Sequence, residues 1–310
     1  MVSVMGKRGL FLVWLCLVSI LPGMAQTEKL IDYVNPFVGT DGYGNVYPGA
    51  QIPFGGIQMS PDTDSKYYDA ASGYKYNHST LLGFSLTHLS GTGIPDLGDF
   101  LFIPGTGEMK LDLGTREEPE KGYRSRYSHE KEWASPNYYA VELSDYGVKA
   151  EMTSGVRSGM FRFTYPQSDK AFIMIDMNHT LWQSCEWANL RMENDSTITG
   201  YKLVKGWGPE RHIYFTATFS KKLTGLRFMQ NKKPVIYNTS RFRSSYEAWG
   251  KNLMACISFD TKAGEEVIVK TAISSVSTNG AKNNMAELAG LAFDDLKARG
   301  EALWEKELGK

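Results

Sequence analysis

From Val141 to Ser274 the sequence keeps one rhythm, and that rhythm leaves few architectures open. Val141-Glu-Leu alternates apolar and polar, and a Ser-Asp-Tyr-Gly turn follows it. Val148 to Thr153 alternates again, and Met160 to Tyr165 (MFRFTY) is a third run. Thr197–Val204, Ile213–Phe219, Leu253–Phe259 and Glu266–Ser274 continue the pattern. Side chains that alternate with period two belong to strands with one buried face. Ala171 to Met177 is nearly all apolar, which predicts a strand buried on both faces. Strands at such short spacing, separated by Gly, Asn and Asp turns, pair antiparallel and stack as a sandwich. No G-x-G-x-x-G, no phosphate-binding loop and no strand–helix alternation suggests a parallel sheet. The expected class is all-β, an antiparallel β-sandwich over residues 26–278.

The rhythm changes near Asn279. Asn283 or Asn284 can cap a helix, and Met285, Leu288, Leu291, Phe293, Leu296, Leu303, Trp304 and Leu308 approximate helical spacing. The last segment, DDLKARGEALWEKELGK, is amphipathic apart from Gly300. Such a helix needs a surface for its apolar face. It can dock back on the sandwich or lead into another domain; in the second case the Leu296/Trp304 face is exposed.

At the other end, Lys7 and Arg8 precede an apolar run from Leu10 to Leu21, and Gly23-Met24-Ala25 supplies the small residues of a cleavage site. Residues 1–25 therefore read as a signal peptide. The run is too short for a comfortable membrane span. Cys185 and Cys256 follow the signal, and they can either pair in an oxidising compartment or remain free. The formal charge is zero, so nucleic acid and anionic membranes are poor partners. Tyr33–Thr40 and Gln51–Ser60 read as extended segments, the second broken at Gly55-Gly56.

The stretch Ser72–Asp99 (SGYKYNHSTLLGFSLTHLSGTGIPDLGD) stands out against this background. Apolar runs, Leu81–Phe84 and Phe100–Ile103, bracket small, hydroxylated and acidic residues around His88. Ordinary connections run about 4–6 residues, so a Gly/Ser/Thr/Asp loop of this length reads as a binding surface. His88 with Asp96 and Asp99 is the best polar constellation, although loop carboxylates also cap turns. Asp62 and Asp64 can ligate calcium or form Asx-turns. Seven Trp, 17 Tyr and 15 Phe suit strands, and exposed rings also suit the C–H face of a sugar. For Trp182, Trp187 and Trp207 both readings stay open, stacking on sugar or packing. Glu186 and Glu210 are weak acid candidates. None of the five histidines has metal-ligand spacing, and no nucleophile elbow is present.

Several blocks go further. YVNPFVGTDGYGNVYPGAQIPFGGIQMSPDT (Tyr33–Thr63), YDAASGYKY (Tyr68–Tyr76), GFSLTHLSGTGIPDLGDFLFIP (Gly83–Pro104), YSHEKEWASPNYYAVEL (Tyr127–Leu143), GYKLVKGW (Gly200–Trp207) and the final ALWEKELGK occur in this order. In them the chain resembles the glycoside hydrolase family 92 α-mannosidases. The resemblance implies an N-terminal sandwich of the mutarotase-like supersandwich type, linker helices at 279–310, and then an (α/α)6 barrel. It implies a calcium-dependent, inverting, exo-acting enzyme on mannose-containing glycans. Inversion needs an acid and a base about 6.5–9.5 Å apart. In the family both carboxylates and most calcium ligands belong to the barrel, so no catalytic or metal-binding residue carries over.

What the resemblance carries over is a substrate-facing surface. The family usually has Trp-Asp and a Cys before Ser-Gly-Tyr; here those positions are Tyr68, Asp69 and Ala71. Lys75 stands where His is common. His88, Ser90, Gly91, Asp96 and Asp99 are retained, and with Tyr68 and Asp69 they are expected near the sugar subsites at the domain interface. The expected protein is secreted into the periplasm of a Gram-negative bacterium, with mannose glycans and its own missing C-terminal (α/α)6 domain as partners, and without hydrolysis by this chain alone. The alternatives are a stand-alone carbohydrate-binding or structural module, and a mutarotase-like epimerase using His88 and a loop carboxylate.

Overall fold

The structure is a computed structural model that describes residues 29–66, 68–236 and 246–310. The signal-peptide expectation for residues 1–25 lies outside the described residues. In chain order the strands are β1 (Ser60–Asp62), β2 (Thr80–Leu81), β3 (Gly83–Ser85), β4 (Leu101–Thr106), β5 (Ser125–Arg126), β6 (Glu132–Ser135), β7 (Tyr138–Leu143), β8 (Val148–Ser154) and β9 (Ser158–Tyr165). They continue as β10 (Ser168–Asp176), β11 (Ser184–Asn194), β12 (Thr197–Lys205), β13 (Arg211–Phe219), β14 (Gly225–Gln230), β15 (Lys233–Pro234), β16 (Glu247–Gly250), β17 (Leu253–Thr261) and β18 (Glu265–Ser274). Two helices follow, α1 (Thr278–Met285) and α2 (Phe293–Leu308).

Among the described residues, one sheet has seven strands in the order β1-β3-β4-β10-β17-β14-β15. A second has nine, β16-β11-β12-β13-β18-β9-β8-β7-β6, and β2-β5 is a small ribbon. The two large sheets close on one apolar layer. Phe102 of β4 meets Phe161 of β9 at 5.0 Å between ring centroids, and Phe100 meets Phe215 of β13 at 4.4 Å. The alternation read from the sequence is the cause, because each inner face contributes every second residue.

β10 explains its own apolar run. Ala171, Ile173 and Ile175 enter the layer between the sheets. Phe172 and Met174 point the other way, into a second cluster with Leu101, Ile103, Tyr123 and Met254, which Met109, Leu111 and Leu113 cover. A strand covered on both faces has no polar side to show. Cys256 lies in that second cluster, and both it and Cys185 are free thiols.

Two local expectations are corrected, and one strand had escaped the sequence reading. Tyr33–Thr40 is not extended: Leu30–Tyr33 is a 3-10 turn, and Asn35 then turns the chain by accepting the Phe37 amide on its side chain and the Val38 amide on its carbonyl. Side-chain-to-backbone bonding of this kind outcompetes strand propensity. Of Gln51–Ser60 only Ser60 joins a strand, apart from a single Ala50–Met59 bridge. β11, an 11-residue strand, was hidden behind its polar and aromatic mixture.

Helix α1 starts at Thr278, capped by Ser277, whose Oγ accepts from the Gly280 amide at 3.0 Å. Asn284 lies within it and donates to the Ile273 carbonyl. The Leu296/Trp304 face of α2 packs back on the sandwich, with Leu296 buried and Trp304 half-buried. Phe293 and Leu296 join Met160 and Leu288 in a third cluster on the outer side of the nine-stranded sheet. Burying such side chains contributes about 1.5–3 kcal/mol each. Trp304 Nε1 donates to the Gln51 carbonyl at 2.6 Å, and Glu305 accepts from the amides of Leu30 and Ile31. Upstream of α2, Glu287 accepts from the Val156 and Arg157 amides and from Ser158 Oγ. No helix of the described residues is long and apolar enough to cross a membrane.

Candidate functional site

The polar stretch around His88 sits at one end of the sandwich, over two buried carboxylates. The first is Asp62, which closes β1. The antiparallel pairing of β1 with β3 sets Asp62 opposite Gly83 and Ser60 opposite Ser85, so the chain leaving β3 returns His88 beside Asp62. His88 Nε2 lies 2.8 Å from Asp62 Oδ1, and His179, just beyond β10, places its Nε2 2.7 Å from Oδ2. His88 Nδ1 donates to the Gln58 carbonyl at 2.8 Å, which fixes the ring orientation. All three side chains are buried. Burial alone would push the Asp62 carboxyl up; the charges and hydrogen bonds of His88 and His179 more than offset this and hold it well below the usual carboxylate range.

Gly73 makes the cluster possible. Its φ is +87°, and a Cβ there would stand 2.0 Å from Asp62 Oδ1 and 3.1 Å from His88 Cδ2. Only glycine combines that backbone angle with so close an approach.

The second carboxylate, Asp99, is also fully buried. Thr87 Oγ1 donates to it at 2.7 Å, Lys202 Nζ lies 3.0 Å away, and Arg211 binds both oxygens at 2.5 and 3.1 Å. Here too burial pushes the carboxyl up, and Lys202 and Arg211 outweigh it, leaving Asp99 well below the ordinary range. Lys202 is completely buried and donates as well to the His179 carbonyl at 2.6 Å. One chain of contacts therefore runs from Asp62 through His179 and Lys202 to Asp99 and Arg211.

Above this base lies the loop. Asp96 accepts from the Leu97 amide at 2.6 Å and faces the Trp207 amide at 3.4 Å, so it caps a turn. Ser90 and Gly91 are exposed, and the Gly91 amide donates to Asn45. Tyr68 stands exposed, in edge-to-face contact with Trp182 at 6.5 Å, and a Cβ on Gly93 would lie 3.2 Å from its hydroxyl. Asp69 is half-exposed, 3.5 Å from His78 and 4.0 Å from Arg116. Leu97 and Phe100 hold positive φ, at 73° and 60°, a cost that non-glycine residues bear where the surroundings force it.

The His88–Asp96–Asp99 constellation does not form. His88 pairs with Asp62, Asp99 with Lys202 and Arg211, and Asp96 with backbone amides. Of the residues singled out in the sequence, Tyr68, Asp69, Ser90 and Gly91 reach the surface, whereas His88, Asp96 and Asp99 lie beneath it. Sequence reasoning missed His179, Lys202 and Arg211. Lys202 left one signal: it shares strand parity with the inward Val204.

Asp64 is an Asx-turn, accepting from the Ser65 and Lys66 amides, with Arg124 and Arg116 each 3.7 Å from its other oxygen. Asp62 is occupied by two histidines. Among the described residues no group of three or more His, Cys, Asp or Glu is placed to hold a metal, so these residues do not fit a calcium site. Trp182, Trp187 and Trp207 are all exposed, at 56%, 46% and 67%, so none of them is a core residue. Glu186 is a surface partner of Lys251.

A family model described as the glycosyl hydrolase family 92 N-terminal domain matches residues 33–274. The chain belongs to glycosyl hydrolase family 92. A family GH92 α-mannosidase of Bacteroides thetaiotaomicron is 89% identical, with a TM-score of 0.89 over 91% of this chain and 38% of that protein. A second structure of that mannosidase is a complex with mannoimidazole. A GH92 glycosyl hydrolase called ccman5 is 25% identical, with a TM-score of 0.76 over 90% of this chain and 37% of its own. An uncharacterized secreted glycosidase of Arthroderma benhamiae is 30% identical over 147 residues, 47% of this chain and 19% of that protein. This family 92 domain thus spans under two-fifths of the solved relatives' length and about a fifth of the curated one.

Proposed function

We propose that this chain is the pocket-shaping N-terminal part of a secreted, inverting exo-α-mannosidase acting on mannose-containing glycans. The observation that carries this reading is the exposed Tyr68–Trp182 pair beside Gly93, standing over a charge-paired base. The 89% identity to an α-mannosidase supports it. An exposed aromatic ring suits the C–H face of a pyranose, and Asp69, adjacent to Tyr68, and the exposed Ser90 suit its hydroxyls. The buried pairs hold the loop so that little ordering is required on binding.

Asp62 and Asp99 cannot act as the acid and base of an inverting reaction while their oxygens are saturated by His88, His179, Lys202 and Arg211. In this reading the two working carboxylates come from outside these 310 residues, as does any calcium cage. Secretion rests on the N-terminal sequence and the secreted relative.

The test is release of mannose from α-linked mannobioses by the 310-residue chain, with calcium and with chelator. No release is expected in either condition. Mannose liberated by this chain unaided would overturn the division of labour. In the full-length enzyme, Tyr68→Ala is expected to raise KM about tenfold, the loss of one stacking contact; an unchanged KM would remove Tyr68 from the pocket.

A further inference from the structure

Beyond the rim, two clefts adjoin on the outer side of the seven-stranded sheet. One, of about 350 Å³, begins at Trp182 and is lined by Ser65, Lys66, Gln183 and Asn178. The other, of about 530 Å³, is lined by Asn231, Lys232, Asn252, Asp112 and Met254. Leu113, Asp176 and Asn178 belong to both, so the two form one continuous groove. Each volume falls within the range of small-molecule sites, about 300–1,000 Å³.

The groove's chemistry is specific. Three of its charged side chains are engaged: Lys232 pairs with Asp112, and Asp176 accepts from Tyr123 and from the Asn178 amide and side chain, while Lys66 sits at its exposed edge. Its amides are only partly engaged. Asn252 Nδ2 donates to Asn231 Oδ1, which leaves Asn252 Oδ1 and Asn231 Nδ2 directed elsewhere. Asn178 uses its Nδ2 and keeps its Oδ1. Paired donors and acceptors with no net charge match the hydroxyls of a neutral sugar. The backbone is pinned there as well: Trp182, Asn231, Lys232 and Asn252 all hold positive φ. The Trp182 amide is tied to Ser65, and the Asn231 amide to Asn252.

We propose that this groove holds the inner residues of a mannan-type oligosaccharide whose terminal unit lies at the Tyr68–Trp182 rim. The proposal rests on the function above and deepens it. Trp182 is the hinge, because its ring closes the rim on one side and opens the groove on the other. The chain therefore recognises length: a disaccharide reaches the rim, and a longer chain reaches Asn178 and Asn252.

The experiment compares α-linked mannobiose with a linear α-linked mannotetraose on the 310-residue chain, by calorimetry and by backbone-amide NMR. Wild type is expected to bind the tetraose at least several-fold more tightly, with shifts at residues 176–183 and 252–254. Asn252→Gly tolerates the φ of +57°, and Asn178→Ser keeps a small polar group. Each is expected to weaken the tetraose about three- to tenfold, the change for one lost hydrogen bond. Mannobiose binding should stay unchanged, which also verifies the fold. Equal affinity for both lengths, or variants without effect on the tetraose, would overturn the groove and leave the rim standing. Failure of both sugars to bind would overturn the groove and the proposed function together.

Discussion

Gly300→Ala sets two effects of opposite sign against each other. Gly300 lies in the middle of α2, where alanine is favoured over glycine by about 1 kcal/mol. Helix propensity alone predicts stabilisation. A Cβ on residue 300, however, would stand 1.7 Å from Asn137 Nδ2, 2.5 Å from its Cγ and 2.9 Å from its Cβ. Asn137 is 1% exposed, and its φ is +65°. Its Nδ2 donates to Thr153 Oγ1 and the Ser154 carbonyl, and its Oδ1 accepts from the amide and hydroxyl of Ser154. To accept a methyl group, either Asn137 swings away and leaves buried polar atoms unpaired, or α2 lifts off β8. Overpacking costs about 1–3 kcal/mol, and each buried group left unpaired adds about 1–3 kcal/mol. The collision outweighs the propensity gain, and a net loss of about 1–3 kcal/mol is expected. Urea unfolding checks it, as a lowered midpoint at unchanged slope. Asn137→Gly in the same chain should recover part of the loss, because the two sites touch. An alanine variant as stable as wild type, or more so, would refute the docking of α2 described here.

Asp99→Asn leaves Lys202 buried without its carboxylate, and breaking a buried pair in this way costs about 3–5 kcal/mol, to be read from the same unfolding curves; a cost below about 1 kcal/mol would mean that Lys202 escapes to solvent. Acid should act through the same groups. Asp62 and Asp99 both titrate below their ordinary range, so the unfolded chain binds more protons than the folded one as pH falls. Their stabilisation is complete above the unfolded carboxylate range, about 3.9, and is lost as pH falls through it towards the folded values. The melting temperature should therefore drop between about pH 5 and pH 3, less steeply in Asp99→Asn. A flat profile would contradict the two pairings.

The strand rhythm from Val141 to Ser274 by itself determined the class and most strand positions, because alternation is a local property that survives without knowledge of the partner strand. It also marked β10 as central, since only a doubly covered strand lacks polar positions. The long Gly- and Asp-rich blocks determined the family. Gly73 and Gly300 were visible as glycines, but what each had to make room for, Asp62 in one case and Asn137 in the other, was not.

Partnerships across sequence were decided by tertiary structure alone. Asp62 lies 117 residues from His179, and Asp99 lies 112 from Arg211. No spacing rule links groups so far apart, and the sequence paired His88 with its neighbours Asp96 and Asp99 because only neighbours were in view. The return of the chain from β3 and from β10 to the same sheet end assigns each carboxylate its cations. The docking of α2 was decided in the same way: its amphipathic face was written in the sequence, and the surface that covers it exists only once β8 and β9 are paired.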